Sequence, residues 1–136
     1  MKRILCSRRG EGYVDIAVSV LATMMLIVLA INVFSFFVIK QDMDYFAKEM
    51  IDAATVSGRT TGETDIRYSE LSEETGLHPS YNWIADYYNA TDQTVQLSDQ
   101  IKITLSYRTY IKGFGVLKIP VTLKASYSGL SQKYWK

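Results

Sequence analysis

The sequence predicts an α+β protein in which a long amino-terminal transmembrane helix continues as an amphipathic stem and packs on a small antiparallel sheet. Three observations predict it. Residues 16–39 are an unbroken uncharged apolar run, Met43, Phe46, Ala47, Met50 and Ala54 recur at helical spacing, and two alternating segments follow at 101–111 and 117–127.

The apolar run comes first. Its twenty-four residues, at about 1.5 Å each, would make a helix of roughly 36 Å, enough to cross a hydrocarbon core of about 30 Å with some tilt. A soluble core helix is rarely apolar on all sides over such a length. Asn32 is the strongly polar side chain of the run, with Ser19, Thr23 and Ser35 as milder ones; each can hydrogen-bond the preceding turn or a neighbouring helix. Lys2, Arg3, Arg8 and Arg9 precede the run, whereas Lys40, Asp42 and Asp44 follow it with mixed sign. That asymmetry predicts a cytoplasmic amino terminus, a single pass and an extracytoplasmic carboxy-terminal domain. A cleaved secretory signal fits less well, because its apolar region is shorter and ends at small residues, whereas this run closes on Phe36, Phe37, Val38 and Ile39.

The helical period continues past the run, with Asp44, Lys48, Glu49 and Asp52 mostly off the apolar face. One helix is expected over 13–57, with Gly58 as its stop and 59–62 as a connecting loop. A second helix is predicted at 65–75, capped by Asp65 and terminated by Gly76 ahead of Pro79. In the strand segments Ile101, Ile103, Leu105, Tyr107 and Ile111 alternate with polar residues, as do Leu117, Ile119, Val121, Leu123, Ala125 and Tyr127. Joined through Gly113, Phe114 and Gly115, they predict a hairpin. Pro120 removes a ladder donor and points to an edge strand or a bulge. Residues 81–88 read as a third strand or as a helical turn. The organisation expected is a leader at 1–10, a membrane-helix segment at 11–39, a stem and loop at 40–62, and a small α+β domain at 63–136.

Composition narrows function. The chain of 136 residues carries a formal charge of +1; without the four leader cations, eleven basic residues face fourteen acidic ones, a net −3. No basic stripe suggests nucleic-acid binding. Cys6 is the sole cysteine and precedes the span, so the external domain has neither a disulfide nor a cysteine metal site. Glu70, Glu73 and Glu74 lack the loop pattern of a Ca²⁺ site and read as a solvated face. His78 reads as a loop residue, and Asn89-Ala90-Thr91, although a glycosylation triplet, as a loop. The ten tyrosines, with Trp83 and Trp135, are mostly accounted for by strand packing. With no nucleophile set and no phosphate loop, neither an enzyme nor a cofactor or metal is expected.

The remaining feature is the junction Arg8-Arg9-Gly10-Glu11-Gly12-Tyr13-Val14-Asp15 before the apolar run. It resembles the class III signal of type IV pilins and pseudopilins, and in its short arrangement the TadE and TadF minor pseudopilins of tight-adherence systems. The segment 125–135 adds a weaker likeness to TadE-like chains. The resemblance implies a bacterial cell-envelope protein whose leader is cut between Gly10 and Glu11 by a prepilin peptidase, with Arg8 and Arg9 holding orientation. It also implies membrane lipid, other pilin or pseudopilin subunits and inner-membrane platform proteins as partners. Asp15 takes the place of the family's acidic residue at mature position five, where it would pair with the amine of an adjacent subunit. This chain departs from the usual Glu there, and Asp15 alternatively caps a helix and favours the positive end of its dipole. The function expected is that of a structural subunit in a type IV-like pilus or secretion apparatus. The alternative is an uncleaved single-pass anchor displaying an external binding domain.

Overall fold

A computed structural model of the protein describes residues 8–113 and 117–136. Lys2, Arg3, Cys6, and Phe114 with Gly115, which the sequence predicts to join the hairpin, lie outside the described residues. The chain forms two compact units, Met1–Phe36 and Phe37–Lys136.

Helix α1 spans Arg8–Ser57. It starts five residues before the predicted position and ends at the predicted one. In the first unit it is helix alone. Its apolar side chains from Tyr13 to Phe34 are exposed, so in this form they have neither a protein core nor reason to prefer water. The polar side chains take the local option open to them. Thr23 Oγ1 donates to Ser19 O at 2.8 Å, Asn32 Nδ2 to Val28 O at 2.8 Å and Ser35 Oγ to Ile31 O at 3.0 Å. These three side chains are thereby satisfied within their own helix, as a lipid environment requires. The helix is long and apolar enough to cross a membrane.

The second unit is built on the stem half of α1. Met43, Phe46, Ala47, Met50 and Ala54, the predicted stripe, are all fully buried. They form one core with Ile51, Leu71, Leu77, Val95, Ile101, Ile103, Leu105 and Ala125. Helix α2, Glu63–Thr75, adds Leu71. Its start differs from expectation: Gly62 is the cap residue, and Asp65, three positions on, accepts the Gly62 N–H at 3.0 Å through Oδ2. Asp65 therefore closes the cap from inside the first turn. At the other end Gly76 adopts the left-handed conformation and its N–H donates to Ser72 O at 3.0 Å, as the sequence predicts.

Three strands make the main sheet: β1 (Ser80–Ala85), then β4 (Gln100–Gly113) and β5 (Leu117–Leu130), in the order β1-β4-β5 and antiparallel throughout. The ambiguous segment at 81–88 thus divides. Its first part is β1, and after Asp86 the short β2 (Tyr87–Asn89) pairs instead with β3 (Thr94–Val95) in a separate two-stranded ladder. Ile101, Ile103 and Leu105 point into the core, while Lys102 and Arg108 are exposed. Pro120 lies opposite Tyr110 on β5, an edge strand, where a missing donor leaves no central ladder bond unmade. The sheet therefore has one face on the α1 stem and one face in water, which is the pairing the two amphipathic patterns require.

Candidate functional site

The predicted junction lies on the first turns of α1. The backbone of Arg8, Arg9, Gly10 and Glu11 is helical, so the Gly10–Glu11 bond falls inside the helix rather than before it. Asp15 is exposed, seven residues from the helix start. A cap residue must stand at the end of a helix with free N–H groups ahead of it. In the uncut chain Asp15 does not stand there. From Gly12 to Ile39 it is the one ionisable carboxylate, and every other side chain is apolar, hydroxylic or amide apart from the phenol of Tyr13.

A second site, which sequence reading missed, lies at the carboxy-terminal end of α1. A cleft of about 490 Å³ is lined by Ser57, Arg59, Gly62, Glu63, Lys133 and Trp135, among others. The chain end closes over this corner. Gln132 N donates to Thr55 O at 2.9 Å. Gln96 grips Trp135 from both sides, its Nε2 donating to Trp135 O at 2.9 Å and its Oε1 accepting from Trp135 N at 2.8 Å. The Arg59 guanidinium stands 4.6 Å from the Trp135 ring centroid and Lys133 Nζ 5.5 Å, both in cation–π range. Gly58 makes this possible. Its φ is +66°, and an added Cβ would collide with Lys133 Cβ and stand 2.9 Å from Trp135 Nε1.

The cleft brings together two cations, one carboxylate and an indole. Ser57 on its wall turns its hydroxyl back to the helix, donating to Ala53 O at 2.8 Å. Away from the cleft, Arg67 donates to Glu49 at 2.8 Å and to Glu70 at 2.9 Å. These bonds, Glu49 first, raise the Arg67 guanidinium further above its already high value. Tyr81 Oη lies 3.4 Å from Asp65 Oδ1; burial and the Asp65 charge push its phenol upward. His78 is exposed, and Asn89 folds its side chain into a local turn, accepting Thr91 N–H at 2.9 Å. Among the described residues no group of three His, Cys, Asp or Glu converges as metal ligands.

A family model described as a domain of unknown function, DUF4320, matches residues 20–136. The chain belongs to the DUF4320 family. In this DUF4320 protein the matched span takes in most of the apolar helix, the stem and the whole α+β unit, while Gly10, Glu11 and Asp15 precede it. No curated protein and no solved structure matches the chain.

Proposed function

We propose that this DUF4320 protein is a structural pseudopilin-like subunit. It inserts with its amino terminus in the cytoplasm, is trimmed between Gly10 and Glu11 by a prepilin peptidase, and joins a type IV-like, tight-adherence pilus or secretion apparatus through helix packing. The observation that carries the reading is Asp15, the one charged side chain in residues 12–39 of a helix whose later part is rooted in the core of a small domain.

A carboxylate beside some two dozen apolar residues is unfavourable in lipid unless a cation meets it. Trimming after Gly10 supplies one, because the new amine of Glu11 belongs to a chain packed alongside. The scissile bond is suited to the cut. Gly10 and Gly12 flank Glu11 in the first turns of α1, and each glycine lowers helix stability by about 1 kcal/mol relative to alanine, which favours opening of this turn to an extended substrate. Leader cations Arg8 and Arg9 remain on the cytoplasmic side.

Continuity of the chain within one helix, Arg8–Ser57, supports the same reading. The helix that would pack with other copies is the same element that carries Phe46 and Met50 of the core. The uncut anchor is the second reading, favoured by the Arg59–Trp135 cleft as a surface for a ligand. Asp15→Ala tests the choice. In the proposed role the variant is trimmed normally and recovers poorly in a sheared filament fraction; equal recovery with wild type supports the anchor.

A further inference from the structure

We propose that the folded unit docks on a second copy of this chain, the basic outer face of the β1-β4-β5 sheet receiving the acidic outer face of α2. The proposal deepens the assembly reading and rests on it in one respect, that copies are held together in one membrane. It needs no trimming at Gly10.

The first observation is charge on the sheet. All fourteen acidic residues precede residue 100; from there to the end the chain has seven basic residues and none acidic. Lys102, Arg108, Lys118 and Lys124 are exposed, and their ladder parity is opposite to that of the buried Ile101, Ile103 and Leu105. All four therefore lie on the sheet face turned from the core. Strand β1 adds Ser80, Asn82 and Ile84 to that face and no carboxylate. Arg108 lies opposite Thr122 and so diagonal to Lys124, at about 7–8 Å, close enough for like charges to disfavour each other. Among the described residues none of the four forms an ion pair.

The second is charge on α2. Its 13 residues hold five acidic side chains and one basic one, Arg67, which is already bonded to Glu49 and Glu70. Glu63, Ile66, Glu70, Glu73 and Glu74 recur at helical spacing and are exposed, on the side away from the buried Thr64, Leu71 and Ser72. Tyr68 packs against Tyr81, which shares the inward parity of Leu105, so α2 lies on the core side of the sheet. The acidic and basic surfaces therefore look away from each other, and neither can neutralise the other within one chain.

Apolar side chains choose the occupant. Tyr110 is 54% exposed and lies between Arg108 and Lys118 on the outer sheet face; Ile66 is 62% exposed and lies between Glu63 and Glu70 on α2. Along the ladder Lys118 is four residues from Thr122, the residue opposite Arg108, which puts the two cations about 14 Å apart. Glu63 and Glu73, ten residues apart on the helix, are separated by about 15 Å. A helix laid along the strands thus sets a carboxylate near each cation, with Ile66 toward Tyr110. A free polyanion would pair the cations and leave both apolar groups in water, and a two-fold contact between sheet faces would oppose cation to cation. Unlike surfaces joining copy to copy make a heterologous contact, which repeats around a ring or along a filament.

The test is cross-linking of the full chain, in a Cys6→Ser background, in membranes of cells that express a prepilin peptidase. One tagged copy carries Thr122→Cys on the sheet face, a differently tagged copy carries Ser69→Cys beside Ile66 on α2, and a short bismaleimide joins them. The proposal expects a mixed dimer in excess of either self-pair. Glu63→Lys with Glu73→Lys in the α2 copy should lower its yield about tenfold, and Arg108→Glu with Lys118→Glu in the sheet-face copy should then restore it. Self-pairs at Thr122→Cys equal to the mixed dimer, an unchanged yield after reversal of the α2 charges, or no recovery after the swap would each overturn it. So would Arg108→Glu with Lys118→Glu alone abolishing retention on immobilised polyphosphate while leaving the mixed dimer intact, the result for an anionic polymer. The mass of the same chains reads trimming separately: a mixed dimer between chains with an intact Met1 supports the contact and contradicts the assembly reading, whereas chains trimmed to Glu11 without a mixed dimer overturn the contact alone.

Discussion

The ring of Phe46 on α1 meets the ring of Tyr68 on α2 edge to face, with centroids 5.3 Å apart and planes at 64°. Tyr68 continues the contact to Tyr81 at 5.1 Å, and Tyr81 to Trp83 at 6.5 Å. Tyr68 Oη also donates to Pro79 O at 2.9 Å. One aromatic chain thus ties stem, second helix and first strand together, and edge-on pairs of this kind add to what burial alone contributes.

Phe46 is fully buried at the root of that chain. Phe46→Ala should lower stability by about 3–5 kcal/mol, whereas Phe46→Leu should cost less because it keeps more of the volume. Urea denaturation of the detergent-solubilised protein, followed by tryptophan fluorescence, measures both. A loss below about 1 kcal/mol for the alanine variant would contradict this packing.

Tyr81 makes stability sensitive to alkali. Its phenol is raised in the folded state by burial and then by Asp65. A raised folded value means that the stabilising contribution is complete below the unfolded value of about 10 and is lost as pH rises through the folded one. Wild type should therefore lose stability above about pH 10, and Tyr81→Phe should lose less over the same interval. Denaturation midpoints measured across the alkaline range for both proteins decide it.

Gly58 supports the carboxy-terminal corner. Gly58→Ala puts a side chain at φ +66° and into Lys133 and Trp135, two costs that together should reach about 2–4 kcal/mol. The tail should detach first. Protease cleavage near Lys133 that is faster in the variant than in wild type, with the sheet still intact by circular dichroism, is the expected result.

Much of the fold was legible because its two largest parts repeat a period. Met43, Phe46, Ala47, Met50 and Ala54 are separated by three or four residues, so a single helical face explains them, and every one is buried. The alternation from Ile101 to Ile111 and from Leu117 to Tyr127 likewise gave the hairpin, though not its full extent to Leu130. The two-residue β3 shows no period at all, and it exists because Val95 N finds Gly58 O at 2.8 Å and Tyr87 pairs with Val95. Asp86 divides two strands that aromatic composition joined. The Arg59–Trp135 cleft was illegible for a different reason: its residues come from segments that meet only when Gln96 clamps the chain end. The junction from Arg8 to Asp15 was visible as a pattern of charge, glycine and carboxylate, a signal carried by order along the chain.

The most direct test of the pseudopilin account is the mass of the protein extracted from membranes of cells that express a prepilin peptidase. The account predicts an amino terminus at Glu11 in wild type and its loss when Gly10→Ala blocks the cut; an intact Met1 in the wild-type protein would contradict it.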